Sequence, residues 1–178
     1  MRLFLAINLP DSTKEKISNS LKDIKNEYKD LRWVGNDNYH ITVHFFGDTT
    51  DIDKIIPKIE DSLFDAYSFY MYSSECRLFL KRKVFAFLGF SRSKELEKIA
   101  FDIGTAFNSQ IKIKYVPHLT LARYRIPSKQ QYLLLKKKFS NIDIDISFKV
   151  NKLTLFDCVN HDTKPEYKII KEFKLIER

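Results

Sequence analysis

The order of elements along these 178 residues predicts an α+β fold of two pseudo-symmetric lobes, each an antiparallel-rich sheet covered by helices, with a central cleft. Three observations carry it. A strand, helix, strand order opens the chain and recurs in the second half. Hydrophobic spacing switches repeatedly between period two and three-to-four, as expected when strands and helices share one chain. A short pattern, His-x-Thr between apolar residues, occurs once in each half, at His40 and at His118. With four glycines and five prolines there is no flexible linker, so the reading is a single bilobal domain over residues 1–178.

In chain order, Arg2–Asn8 is a strand, Pro10, Asp11 and Ser12 a turn with helix-start residues, and Ile17, Leu21 and Ile24 mark a helix face. Trp33-Val34 and Tyr39 to Phe46 are extended segments around a Gly35-Asn36-Asp37-Asn38 turn, which predicts a hairpin. Asp51 to Tyr67 has helical spacing interrupted by Pro57, a residue that costs about 3 kcal/mol inside a helix, and Ser68 to Leu80 alternates like strands. The second half repeats the opening: an apolar strand Val84–Phe90, a Ser93 cap, and a helix carrying Leu96, Ile99, Ile103 and Phe107. An alternating Ile111–Val116, a strand His118–Tyr124, a basic helix from Ser128 to Phe139 and two last strands, Ile142–Phe156 and Tyr167–Ile176, complete the chain.

Composition narrows the function. Apolar residues at 44% and charged residues at 30% are globular values and exclude a disordered tail. The net charge of +8 favours an anionic partner such as a nucleic acid or a phosphate ester. Val84–Phe90, the longest apolar run, falls far short of the ~20 residues of a membrane helix, so no membrane association is expected. Leu3–Ile7 is too short for the core of an export signal, and Cys76 and Cys158 lack C-x-x-C spacing, which together predict a cytoplasmic protein with two reduced thiols.

On a strand, residues two apart share a face about 6.6 Å from each other, so His40 projects with Thr42 and His118 with Thr120, while Ile41, Val43, Leu119 and Leu121 enter the core. Two imidazoles and two hydroxyls around one cleft suit a phosphate. Opening a cyclic phosphodiester needs a base for the attacking water and an acid for the departing oxygen on the other side of phosphorus. Imidazole, with an ordinary pKa of about 6.5, does either. The threonine hydroxyls supply donors to the non-bridging oxygens, so neither a metal nor another cofactor is called for.

With these residues in view, the sequence resembles the two-histidine (2H) phosphoesterase superfamily, and within it the RNA 2′,3′-cyclic phosphodiesterases, also called 2′-5′ RNA ligases. The resemblance runs through Met1 to Ile7, Arg32-Trp33-Val34, His40 to Gly47, Pro117 to Arg123, and the closing Leu153-Thr154-Leu155-Phe156 with Tyr167. Cys158 stands where serine is commoner, and Pro165-Glu166 replaces a glycine-containing turn. The resemblance implies hydrolysis of an RNA terminal 2′,3′-cyclic phosphate to a 2′-phosphate, with His40 as proton donor and His118 as proton acceptor. It also implies reversible 2′-5′ joining of RNA ends. In similar proteins the position of Arg123 contacts phosphate and that of Phe45 packs on a base.

An odd offset from His118 puts Arg123 on the wrong face unless the strand bends, bulges or ends first. For Phe45 the competing reading is core packing. Lys81 to Lys83, Lys112, Lys114 and Lys136 to Lys138 are candidate backbone contacts, with a solvated helix face the competing reading for the last three. Tyr115, Tyr124 and Trp33 are candidate stacking residues, Trp33 being better read as a core anchor.

The expected partner is RNA with a cyclic-phosphate end, tRNA fragments among the options, and the expected state a monomer, since both motifs sit in one chain. Two alternatives remain: a non-catalytic RNA-binding module of this fold, and a metallohydrolase using His40, His44 and His161 or His118. The second is disfavoured because strand residues four apart are separated by about 13 Å.

Overall fold

The computed structural model describes residues 1–80, 83–109, 115–125, 128–160 and 165–178, and nine strands among the described residues form two sheets. The first sheet has the order β3 (His40–Asp48), β1 (Arg2–Asn8), β8 (Lys152–Asn160), β9 (Pro165–Lys174). The second has the order β2 (Arg32–Trp33), β6 (His118–Tyr124), β5 (Val84–Phe90), β4 (Phe69–Leu80), β7 (Ser147–Val150). Every pairing within them is antiparallel. β3 packs near β6, so the two motif strands stand where the sheets meet.

One face of each sheet is apolar and meets the helices. Leu3, Leu5, Ile41, Leu153 and Leu155 of the first sheet join Met71, Leu88, Leu119 and Leu121 of the second in one continuous core. Each such side chain taken from water contributes about 1.5–3 kcal/mol. The helices complete this layer: α1 (Asp11–Ser20), α2 (Lys22–Glu27), α3 (Ile52–Ser62), α4 (Lys94–Ala106) and α5 (Lys129–Ser140). The helix starts are chemically specified. Ser93 Oγ accepts from the Leu96 amide at 3.2 Å, and Ser128 and Gln131 form a reciprocal capping box.

Strands β1, β5 and β6 have the bounds that periodicity predicts. Four expectations are corrected. Trp33 and Tyr39–Phe46 do not form a hairpin: β2 pairs with β6 and β3 with β1, with a 3-10 turn over Asn36–Asn38 carrying the chain from one sheet to the other. The stretch Ile142–Phe156 is not one strand. It contains β7, paired to β4 in the second sheet, and the start of β8, paired to β1 in the first.

The helix expected over Asp51–Tyr67 ends at Ser62, because Ala66 to Ser68 turn away to hydrogen-bond Ile176 near the C-terminus. Pro57 is tolerated inside α3 because it sits on the exposed side, where the acceptor it leaves unpaired meets water. The lobes are also not the two halves of the chain. The first sheet takes β1 and β3 from one half and β8 and β9 from the other, while β2 and β4 cross into the second sheet. Ile111–Lys114 and His161 lie outside the described residues, as do Lys81, Arg82 and Lys112.

Candidate active site

The faces turned away from the helices carry the two motifs. In β3, Ile41 and Val43 are buried, while His40 and Thr42 are half-exposed on the other side. In β6, Leu119 and Leu121 are buried, Thr120 is half-exposed and His118 is open to solvent. The two imidazoles are tethered alike. His40 Nδ1 lies 2.7 Å from the Asn38 carbonyl and His118 Nδ1 lies 2.9 Å from the Val116 carbonyl, each the residue two before the histidine. A carbonyl only accepts, so Nδ1 carries the proton in both rings and Nε2 is left for chemistry.

The two strands also break their alternation at the same place. In β3 the register to β1 passes from Ala6↔Thr42 to Leu5↔His44, leaving Val43 as an extra residue. In β6 the register to β5 passes from Phe87↔Thr120 to Ala86↔Ala122, leaving Leu121 extra. A bulge inverts parity, so a residue at an odd offset beyond it returns to the starting face. Arg123 accordingly lies over the Phe85 ring at 6.0 Å, beside the Phe87 ring that sits 5.7 Å from His118. Phe45 stands 5.8 Å from Phe4, whose ring is 5.0 Å from His40. At 67% exposure Phe45 is not core, which removes the packing reading.

His40 is the more enclosed histidine. Phe4, Phe156 and Tyr167 wall its ring at 5.0, 6.4 and 5.1 Å. Burial holds its pKa below the ordinary imidazole value against the opposing hydrogen bond to Asn38, and the positive charges of Arg123, His118 and Lys14 push the same way as burial. Arg123 and His118 act on it from the second sheet and Lys14 from α1. Tyr115, just before β6, donates its hydroxyl to the Thr42 carbonyl at 2.8 Å and ties the motif strands together.

Other sequence candidates fall elsewhere. His44 packs on Phe46 and Phe107 at 4.8 and 5.9 Å, away from the aromatic wall around His40, so the two histidines cannot share a metal ion. Trp33 is an anchor: it stacks on Phe139 and donates Nε1 to the Tyr28 carbonyl at 2.9 Å. Tyr115 and Tyr124 pack against the core and are not open stacking platforms. Lys138 pairs with Glu27 at 2.9 Å, which supports the solvated-face reading for that stretch.

Sequence reasoning missed Lys14 and the role of Phe4 and Phe156. The unbroken apolar run Leu3 to Ile7 carries a usable signal for Phe4, since a strand without alternation is buried on both faces. Lys14 carries no such signal.

A bilobal α+β fold presenting one His-x-Thr strand from each sheet to a shared cleft defines the two-histidine phosphoesterase class. The chain belongs to the 2′-5′ RNA ligase superfamily, whose family model matches residues 10–162. Among curated proteins it is similar to an RNA 2′,3′-cyclic phosphodiesterase of Methanocaldococcus jannaschii, 26% identical with 97% of this chain and 100% of that protein covered. A protein of the same name from Thermotoga maritima is also 26% identical, with 97% and 94% covered. In fold, the chain superposes on apo LigT of E. coli with a TM-score of 0.78 at 21% identity, covering 98% of this chain and 97% of that one.

Proposed function

We propose that this protein opens RNA 2′,3′-cyclic phosphate ends to 2′-phosphates, using His40 and His118 as a metal-independent acid/base pair. The observation that supports it best is the matched tethering of the two rings, which leaves one Nε2 on each motif strand free for proton transfer. His118, the more exposed imidazole, takes a proton from the attacking water. As the new P–O bond forms, the bond from phosphorus to O3′ breaks and His40 gives its proton to O3′.

The hydroxyls of Thr42 and Thr120 and the Arg123 guanidinium receive the charge on the non-bridging oxygens, and Phe45 offers a face to a base. Burial holds the His40 pKa low in the free protein. The acid role therefore requires the bound phosphate to supply the counter-charge that restores its proton. The same geometry, with an RNA 5′-hydroxyl in place of water, would form a 2′-5′ bond. RNA fragments with cyclic ends, tRNA halves among them, are the partners this reading implies, and a monomer suffices because one chain supplies both histidines.

The test is incubation with an oligoribonucleotide ending in a 2′,3′-cyclic phosphate, with and without excess chelator, and identification of the product. A 2′-phosphate formed at the same rate in chelator is expected. Unchanged ends would favour a non-catalytic RNA-binding module, and a 3′-phosphate would overturn the roles given to the histidines. His40→Ala and His118→Ala should each lower turnover by about 10²–10⁴-fold while leaving the far-ultraviolet circular dichroism intact.

A further inference from the structure

Lys14 is a cationic group beside His40 that neither motif explains, in a cavity that Asp37 also lines. It lies in the first turn of α1 with its side chain only 10% exposed, and it lines a cavity of about 210 Å³ together with Asn8, Asn38, His40 and Tyr167. Its protein contacts are at the limit of reach: the Asp37 carbonyl at 3.5 Å and the Asp11 carboxylate at 3.8 Å. Asp11 is itself almost fully in water. An ammonium withdrawn from solvent is costly unless an anion meets it, and the open side of this one is the cavity.

The stereochemistry of the reaction limits which anion that is. In an in-line opening O3′ departs on the side of the acid, so the terminal ribose lies against His40. The cavity is at the Asn8–His40 end of β3, and Phe45 is toward the Phe4 end. A nucleotide that straddles His40 with its base near Phe45 therefore turns its 5′ side into the cavity. We propose that Lys14 binds the phosphodiester joining the terminal nucleotide to the rest of the RNA, and so makes the enzyme distinguish RNA ends from free nucleoside cyclic phosphates. This rests on the phosphodiesterase reading above. An ammonium is a compact charge with three donors, suited to phosphate oxygens that approach from a flexible chain. The cyclic phosphate itself is left to the threonines and Arg123.

Three substrates test it: a dinucleotide ending in a cyclic phosphate, the same dinucleotide with an uncharged methylphosphonate linkage, and a nucleoside 2′,3′-cyclic phosphate with a free 5′-hydroxyl. The wild-type protein should prefer the charged dinucleotide over each of the others by about tenfold or more in kcat/KM, the scale of one charge-assisted hydrogen bond. Lys14→Met should reduce that preference to about twofold or less, and Lys14→Arg should keep most of it. Equal kcat/KM for charged and uncharged linkages in the wild type, a comparison that needs no variant, would overturn the assignment. So would a Lys14→Met protein that retains the preference. Absence of opening on all three substrates would instead remove the phosphodiesterase reading, and this inference with it.

Discussion

His40 and His118 share a tether and differ in their surroundings. The aromatic wall and the neighbouring positive charges lower the pKa of His40, so at neutral pH the free protein holds this ring neutral. Two measurements follow from the sign. Binding an anion beside His40 favours its charged form, so the limb of the kcat profile that this ring sets should lie at higher pH than the same limb of kcat/KM; a rate independent of pH from 5 to 9 would sink the acid/base pair. For stability, the folded-state pKa lies below the unfolded value of 6.5. The contribution is therefore complete above that pH and is lost as pH falls through the lowered value. Thermal unfolding between pH 8 and 5 should cost the wild type more than it costs His40→Gln.

At this scale the histidines and threonines were legible, because residues two apart on a strand share a face whatever the strand pairs with. Lys14 was not. A lysine near the start of an amphipathic helix has the same local pattern whether it reaches water or a cavity.

At the scale of the element, the bulges at Val43 and Leu121 decide which side chains accompany each histidine. Alternation alone leaves Phe45 and Arg123 on the far face, and the extra residue returns both to the cleft. A bulge is a property of two strands in register, so it cannot be read from one strand's residues. Gly47, with φ of 77°, adopts the left-handed conformation open to glycine where a second irregularity in β3 adds Phe46 against β1.

The motif strands are held to each other by the hydrogen bond from Tyr115 to the Thr42 carbonyl. Tyr115→Phe should cost about 0.5–1.5 kcal/mol in urea unfolding and a larger fractional loss in kcat than in stability, because the tie sets the spacing of the two imidazoles. Unchanged kcat would show that the spacing is set elsewhere. Gly89 pairs with His118, and a Cβ there would meet Ser74 Oγ at 2.6 Å. Gly89→Val should therefore destabilise by about 1–3 kcal/mol in the same assay.

In the whole molecule, each sheet is assembled from both halves of the chain. β8 and β9 complete the sheet that β1 and β3 begin, and β2 and β4 belong to the other. Neither lobe can bury its apolar face without the distant segment, and the core runs unbroken between them. Urea unfolding followed by Trp33 fluorescence and by far-ultraviolet circular dichroism should give coincident transitions, and a fragment ending at Leu80 should stay unfolded; a stable fragment would mean that the lobes fold separately. The sequence by itself determined the α+β class, the bounds of β1, β5 and β6, the Ser93 cap and the sharing of one strand face by each motif histidine and its threonine, all of which follow from residue types at fixed short spacing. Only the tertiary structure decided that Trp33 pairs with β6, that Ile142–Phe156 serves two sheets, that Arg123 and Phe45 face the cleft and that Lys14 lines it. Each of those depends on which distant strand closes a hydrogen-bond ladder and buries an apolar face, and that choice is made by the assembled core.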